Sequence, residues 1–572
     1  MQDTATAITF KSQLEPLDFP LATITQFTFQ GWQSVRDKAA LVDVSGRQYN
    51  YGQLYGAIQK VALGLHQHGV RKGDVVCIFA PNLPEYPIAF HAVASLGAIV
   101  TGCTPLASTE ELAYQLKDSD AKFLITISLF LEKAKAAMQT LETPIQEIFV
   151  FGEAEGATPF ASLLKAEGEM PNVEIDPKTD TVAIPYSSGT TGLPKGVELT
   201  HLNLVTNVCQ IEAVLDDIKE DDVFIGVLPF YHIYAMIAIL SLGLHKKIKT
   251  VIMPKFDLEQ YLQIVQEHKV TYAHIVPPIV LALAKSPLVD KYDLSSLRVV
   301  FSGAAPLSGD LEKECISRLN VQIKQGYGMT ELSPATHITP SREAPAGSVG
   351  ILLPNLEARI QDPATGEFVG VDQDGEICVR GPNIMKGSFL FITLFGFCVC
   401  LFIFFFVDYY YVFITQHHLK QKGYYKRPDA TAAIMDKDGF LHTGDIGHVD
   451  ENGFYFVVDR LKELIKFKGF QVPPAELEGK LLTHPAVADC AVVGKPDDEA
   501  GELPKAYVVL KKDHSLTAEE LIAWFDDKVS PYKKLRGGLE FVDLIPKNMS
   551  GKILRRVLKD KEIAAAKEKV VN

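Results

Sequence analysis

No two cysteines in this chain stand in C-x-x-C spacing, and no Cys/His cluster has the spacing of a zinc site. The eight cysteines (Cys77, Cys103, Cys209, Cys315, Cys378, Cys398, Cys400 and Cys490) are scattered and read as reduced thiols. No basic tract offsets the net charge of -14, which argues against a nucleic-acid partner. A nucleotide ligand stays open, since it needs only a local cluster of Lys and Arg. The start, Met1-Gln-Asp-Thr-Ala, lacks the basic and apolar regions of a secretory signal, and the end, Lys569-Val-Val-Asn572, is not a peroxisomal S-K-L tripeptide. The expectation is a cytoplasmic protein. There is also no Walker A loop: Leu193 and Pro194 separate Gly192 from Lys195, where that loop needs Gly-Lys followed by Ser or Thr.

What is present is an ordinary globular composition, 47% hydrophobic and 22% charged, over 572 residues. That length calls for roughly three or four compact units. Helix-like and strand-like segments alternate from about residue 45. Tyr51–Val70 carries helical apolar spacing at Leu54, Ile58, Val61 and Leu65. Strands are expected at Val75–Phe79, Ala98–Gly102, Phe123–Thr126 and Ile148–Phe151, with a helix at Pro87–Leu96. The alternation resumes at Val223–Leu228, Lys249–Ile252, Tyr272–Val276 and Val299–Phe301. Such order implies an α/β fold with two doubly wound subdomains. From about 348 to 387, short strands such as Glu357–Gln361 and Glu376–Arg380 suggest a separate small β-rich subdomain. After Asp459-Arg460 comes a small α+β unit, in which Ala475–Leu482 and Thr517–Lys528 are expected as helices. Val487–Val493, Lys505–Lys511 and Leu539–Val542 are expected as strands, and the polar tail Asp560–Lys569 is expected to fray.

Ser388–Gly423 fits nothing around it. Phe389–Val407 is one apolar run without a charge, long enough for a transmembrane helix. Yet Lys386-Gly387 recurs as Lys422-Gly423, so deleting Ser388–Gly423 restores an uninterrupted Met-Lys-Gly-Tyr-Tyr-Lys-Arg-Pro. The Phe/Ile/Leu/Tyr/Val bias is also that of translated T-rich non-coding sequence. The reading is a retained intron or gene-model artefact, with a membrane contact only if the segment is real.

The stretch Tyr186-Ser-Ser-Gly-Thr-Thr-Gly-Leu-Pro-Lys-Gly196 holds three glycines, four Ser/Thr hydroxyls and one Lys. Glycine permits close backbone approach, so such a loop can direct N–H groups, hydroxyls and an ammonium onto a polyphosphate. Alone it reads equally as a flexible turn. It is followed, in order, by Ser302-Gly-Ala-Ala-Pro306, Gln325-Gly-Tyr-Gly-Met-Thr-Glu331, Gly375-Glu-Ile-Cys-Val-Arg-Gly381, Thr443-Gly-Asp445, Asp459-Arg460 and Asn548-Met-Ser-Gly-Lys552. This series resembles the adenylate-forming acyl-CoA synthetases, and within them the 4-coumarate:CoA ligase branch, over essentially the whole chain outside Ser388–Gly423.

The resemblance implies a large N-terminal adenylation domain over 1–460 and a small mobile α+β C-terminal domain over 461–572, hinged near Lys462. It implies a small carboxylic acid, ATP and coenzyme A as substrates, with Mg2+. The reaction forms an acyl-adenylate and pyrophosphate, then a thioester and AMP. Ser187, Ser188, Gly189, Thr190, Thr191 and Lys195 would hold the phosphates, with Thr330 beside the α-phosphate and Glu331 as the magnesium ligand. Ala304, Gln325, Gly326 and Tyr327 would surround adenine, and Asp445 with Arg460 would hold the ribose. Lys552, by itself an unremarked surface lysine, would bridge the carboxylate and α-phosphate. His232, otherwise a structural histidine, would position or gate. In the second step Lys466 and Gln471 would serve the thiol face, and Lys468, Gly469 and Lys255 would contact coenzyme A.

The acyl pocket implied by the same resemblance comprises Tyr234, Ile237, Ala238, Gly303, Gly326, Gly328, Pro334 and Ile338. Plant-type members often have Asn where this chain has Ile237, so a hydrogen-bond partner for a phenolic hydroxyl is missing there. The expected acid is of hydroxycinnamate type, such as 4-coumarate. The alternatives are a medium- or long-chain fatty acid, a luciferase-like enzyme that stops at the adenylate, and a membrane-tethered or inactive scaffold.

Overall fold

The computed structural model describes residues 8–187, 193–342, 344–385, 423–468, 470–497, 499–512, 514–548 and 551–571. Ser388–Lys422 lie outside them. No helix among the described residues is long and apolar enough to cross a membrane.

Two parallel-stranded layers carry the N-terminal part. The smaller sheet has the order Leu199–Thr200, Thr181–Ala183, Ile99–Cys103, Val75–Phe79, Ala121–Ile127, Glu147–Phe151, Thr158–Pro159. Its central strand Val75–Phe79 is buried at all five positions, as a strand covered on both faces must be. The helix Tyr51–Gln67 buries the stripe Leu54, Ile58, Val61 and Leu65, as its spacing predicts, and starts from a reciprocal cap between Asn50 and Gln53.

The larger sheet differs from expectation. Its parallel strands Ala39–Asp43, Lys249–Ile252, Val223–Gly226, Tyr272–Ile275, Val299–Ser302 and Gln322–Gly328 lie side by side in that order. The sheet then continues without a break into Ala335–Ile338, Gly350–Leu352, Phe454–Arg460, Leu441–Val449, Gly375–Arg380 and Glu357–Gln361. The stretch expected as a separate β-rich subdomain is the antiparallel half of one 15-stranded sheet. The junction is the reversal after Gly328, where Gly326 pairs with Ile338 and Tyr327 with His337. Local alternation reveals a strand but not its neighbour, so the sequence pattern does not show this continuity.

The C-terminal unit is built on a separate five-stranded sheet in which Val487–Asp497 and Gly501–Leu510 form a long hairpin. The tail is a helix, Arg555–Val571, rather than a frayed end. Leu558 and Glu562, one turn apart, are both buried, and Glu562 accepts from Lys505 Nζ at 2.6 Å and from the Tyr507 hydroxyl. Tertiary contacts on one helical face hold a segment whose composition alone is too polar to fold.

Candidate active site

The motifs converge where the parallel strands of the larger sheet end, the usual place for a ligand crevice in an open α/β sheet. Ser302-Gly303-Ala304 leaves the strand Val299–Ser302, and Gln325–Gly328 closes the next one. Ala304 sits at φ +67°, a left-handed conformation uncommon for a residue with a Cβ. Between these loops the sheet presents two glycines. A Cβ on Gly326 would stand 2.7 Å from the Phe301 ring, and one on Gly303 would stand 3.2 Å from the Tyr234 ring. A Cβ on Gly328 would lie 1.9 Å from the Pro334 carbonyl oxygen, so Gly328 is the residue that lets the chain reverse there.

Tyr327 donates its hydroxyl to Asp445 Oδ2 at 2.7 Å, and Arg460 Nε stands 3.3 Å from Asp445 Oδ1. Burial pushes the Asp445 carboxyl above its ordinary range, while Arg460 and the Tyr327 hydroxyl pull it back. Both oxygens keep a lone pair for a further donor. Asp445 is set by the loop before it: Thr443 donates to the Ile377 carbonyl at 2.7 Å and Gly444 N–H to Glu376 Oε1 at 2.8 Å. Glu376, Cys378 and His442 come together here, the only His/Cys/acid trio in metal-ligating proximity among the described residues. His442 Nδ1 lies 2.9 Å from Glu376 Oε2, and burial holds the Cys378 thiol protonated, so the trio braces the Asp445 loop from within the protein. The amide of Gln325 is also spoken for, donating to Glu312 Oε2 at 2.8 Å.

On the other side, Ser187 and Lys195 are cross-strand partners in the short ribbon Tyr186–Ser187/Lys195–Gly196, the two feet of the glycine-rich loop. Ser188, Gly189, Thr190 and Thr191 lie outside the described residues. The ribbon is followed by a helix, His201–Val214, capped by Thr200, whose hydroxyl accepts from Asn203 N–H at 3.2 Å. Such a cap stabilises by about 1 kcal/mol. The Lys195 ammonium stands 5.4 Å from the Tyr424 ring centre, and Tyr424 donates to Glu331 Oε1 at 2.7 Å. Glu331 Oε2 is buried and has no partner among the described residues. A buried carboxylate oxygen left open beside Thr330 and the short ribbon has the hard donor chemistry that would suit a magnesium ion.

Lys552 reaches this site from the C-terminal unit. Burial and Arg460, with Arg555, lower its ammonium to about 8, against Glu463 and Asp445. His232 is driven down to about 4, by burial and then by Lys552, and is neutral at pH 7. Its Nδ1 accepts from Tyr234 N–H at 3.3 Å, which leaves Nε2 as the nitrogen bearing hydrogen. Lys552, His232, Asp445 and Arg460 therefore share one electrostatic environment. Lys466 and Gln471 do not join them. They are exposed cross-strand partners on the hairpin Ile465–Phe467/Phe470–Val472, and Lys468 pairs with Glu499 at 2.7 Å within the C-terminal unit. Gly469 lies outside the described residues. Lys255 and Lys462 are exposed. Beside Lys462, Glu463 binds Arg555 at 2.6 Å, and Arg555 also binds Glu478 at 2.5 Å.

Ile237 and Ala238 lie in a π-helical segment, Ala235–Ser241, with Ser241 donating to the Met236 carbonyl at 2.8 Å. Such wide turns recur at functional sites. Tyr234, just before it, donates to the Phe301 carbonyl at 3.3 Å. Sequence reading overlooked Phe301, Tyr424 and Glu376. Glu376 sits inside a motif already singled out, and Tyr424 is hidden behind the apolar insertion.

The chain is similar to known proteins along most of its length. The family model for AMP-binding enzymes matches residues 29–389, and that for the AMP-binding enzyme C-terminal domain matches residues 476–552. A probable 4-coumarate--CoA ligase 1 of Dictyostelium discoideum is 41% identical, with 96% of this chain and 97% of that protein covered. 4-coumarate--CoA ligase 2 of Petroselinum crispum is also 41% identical, with 96% of each covered. Among solved structures, the anthranilate CoA ligase AuaEII in complex with anthranoyl-AMP superposes with a TM-score of 0.81 at 25% identity, covering 96% of this chain and 99% of that one. ATP-bound MatB from Rhodopseudomonas palustris superposes at 0.80 and 26% identity, covering 95% of this chain and 99% of that one.

Proposed function

We propose that this chain, which belongs to the adenylate-forming AMP-binding enzymes and is an AMP-forming acid–thiol ligase, takes a hydroxycinnamate-type acid such as 4-coumarate as its substrate. The observation that carries the chemistry is the convergence of Lys552, Arg460, Asp445 and the open Glu331 oxygen at the ends of the parallel strands. The choice of acid is supported by the aromatic rings of Tyr234 and Phe301 against Gly303 and Gly326 and by relatives named 4-coumarate--CoA ligase.

In the first step a carboxylate oxygen of the acid attacks the α-phosphorus of ATP, and the bond to the bridging oxygen of pyrophosphate breaks. Both reactants are anions, so the barrier is lowered by fixed positive groups rather than by proton transfer. Lys552 places its ammonium between the carboxylate and the α-phosphate. Lys195 and the backbone of the glycine-rich loop hold the outgoing phosphates, and Asp445 takes the ribose hydroxyls while Arg460 and Tyr327 hold it in place. Neutral His232 orients the acid and takes no proton at pH 7. Magnesium bound at Glu331 would offset phosphate charge. In the second step the sulfur of coenzyme A attacks the acyl carbon and AMP leaves. Lys466 and Gln471 are exposed while Lys552 is half-buried, so serving the thiol has the small domain turn about Lys462. Glu331→Gln is expected to raise the Mg2+ concentration for half-maximal pyrophosphate release by about 10-fold or more, read from a magnesium titration at saturating ATP.

The substrate is tested by following pyrophosphate and acyl-CoA over 4-coumarate, cinnamate, benzoate, hexanoate and dodecanoate. The highest kcat/KM is expected for 4-coumarate. A fatty acid is the second reading, because Ile237 and its buried neighbours make one wall wholly apolar; a preference for hexanoate or dodecanoate would establish it.

A further inference from the structure

One helix outside the site grips both feet of the glycine-rich loop. The helix Thr109–Asp118 starts from a reciprocal cap between Ser108 and Glu111. Its buried Gln115 donates to the Thr101 hydroxyl and to the Gly102 carbonyl, each at 3.0 Å, which fastens the helix to the strand Ile99–Cys103. Tyr114 and Asp118 stand one turn apart, so their side chains share one face. The Tyr114 hydroxyl donates at 2.8 Å to the carbonyl of Pro194, the residue before Lys195. Asp118 Oδ2 accepts at 2.8 Å from the hydroxyl of Tyr186, the residue before Ser187. One helical face therefore holds the chain where it enters the loop and where it leaves. Asp118 Oδ1 also accepts from Arg427 at 2.5 Å, and the Asp118 side chain is only 8% exposed. Burial, followed by the charge of Asp118, pushes the Tyr186 hydroxyl up, so that it stays a donor. The Tyr186 ring lies across the ribbon, 3.3 Å from where a Cβ on Gly196 would stand.

We infer that Tyr114 and Asp118 are positioning residues for the first half-reaction, fixing the phosphate-holding ribbon through Pro194 and Tyr186. The inference rests on the assignment of Lys195 to the outgoing phosphates, and not on which acid is activated. A glycine-rich segment gains little order from its own side chains, so its placement depends on where its two ends are held. Misplacing groups that orient a reacting substrate by about 1 Å can cost about 10²-fold in rate. Pyrophosphate leaves at the end of the first step, so the displacement of AMP by coenzyme A no longer needs those groups. Asp118 also ties the ribbon to the segment beyond the insertion, because Arg427 lies beside Tyr424, the donor to Glu331. Lys195 and Glu331 are thereby held against one helix end.

The experiment measures KM for ATP and kcat for pyrophosphate release with the best acid of the panel. Thioester formation started from the synthetic adenylate of that acid is measured beside it. Tyr114→Phe, Tyr186→Phe, Asp118→Ala, Asp118→Asn and Lys195→Ala are compared with the wild type, with thermal melting to confirm folding. Each is made in the full-length chain and in the form lacking Ser388–Gly423. Asp118→Ala is expected to lower kcat/KM for ATP by about 10- to 100-fold, the range for losing a partner that orients a ligand-binding group. Tyr114→Phe is expected to lower it by less, and thioester formation from the adenylate is expected to be unchanged in both. Asp118→Asn keeps an acceptor for Tyr186 and is expected to recover part of the loss. Adding Tyr186→Phe to Asp118→Ala is expected to cost nothing further, because both break the same bond. If Lys195→Ala slows the first step while Asp118→Ala and Tyr114→Phe do not, the inference is overturned and the phosphate assignment survives. If Asp118→Ala slows both half-reactions equally, its role is in folding and the inference is likewise overturned. If Lys195→Ala also leaves KM for ATP and kcat unchanged, both fall together. Should Asp118→Ala prevent folding, Tyr114→Phe and Tyr186→Phe decide: unchanged KM and kcat in both count against the inference.

Discussion

Lys552→Ala is expected to lower the rate of pyrophosphate release by at least about 10²- to 10³-fold, the cost of removing one group aimed at developing charge. Thioester formation started from a synthetic acyl-adenylate is expected to fall far less, because that step does not bring two anions together. The contrast separates a role in the first step from a general loss of folding. The pH profile adds a second test with a defined sign. The ammonium is the competent form, and its position at about 8 in the free protein means that it is present below that pH and lost above it. The kcat/KM for pyrophosphate release is therefore expected to be level on the acid side of about 8 and to fall tenfold per pH unit beyond it. Burial is the main cause, followed by Arg460; Glu463 and Asp445 oppose it and Arg555 adds to it. Lys552→Arg keeps a charge that is not lost below about 12, so its profile is expected to lose the alkaline limb while its level drops from altered geometry. An alkaline limb unchanged in Lys552→Arg would assign the titration to another group.

Deleting Ser388–Gly423 is expected to move the expressed protein from the pellet to the soluble fraction and to yield the active form. Phe389–Val407 holds no charge, and an apolar run of that length on a water-soluble fold is an aggregation liability. The structure adds a reason why the junction would close without strain. On one side of the insertion Met385 N–H donates to the Glu331 carbonyl at 2.9 Å. On the other, Tyr424 donates to the Glu331 carboxylate, and Tyr425 N–H donates to the Gly196 carbonyl at 2.8 Å. Both flanks thus meet at one residue of the active site, as they would in a chain running directly from Lys386-Gly387 to Tyr424. The same convergence makes the full-length chain sensitive to whatever the inserted segment does, because Glu331 and Lys195 are held from these flanks. Centrifugation and pyrophosphate assays on both forms check this. Activity of the full-length chain in a membrane fraction would sink the intron reading and make the insertion an anchor.

Much of the site could be read from the chain because its chemistry is local. A phosphate loop needs glycines and hydroxyls within a few residues, so Ser187 and Lys195 stand out as candidates before any fold is known, although the loop alone reads equally as a turn. Lys552 and Asp445 carry no such local chemistry and receive their roles only from the resemblance that their short motifs bear. The helix Tyr51–Gln67 was equally open to reading, since its apolar stripe repeats at the helical period. Where strand or helix limits shifted by a residue or two, as at Ile99–Cys103 or Pro474–Leu481, end effects outweighed periodicity.

Other features depend on pairing across long separations, which no local pattern encodes. That Gly375–Arg380 and Leu441–Val449 extend the same sheet as Val299–Ser302 follows from the chain reversal after Gly328. The helical tail exists because Lys505 and Tyr507 meet Glu562. Glu331 receives Tyr424 from beyond the insertion. The sequence by itself determined the residues able to carry charge and phosphate, because those abilities belong to side chains and short loops. Tertiary structure alone decided which of them share a desolvated space. Burial and partner geometry, which set the ammonium of Lys552, arise only when distant segments pack together.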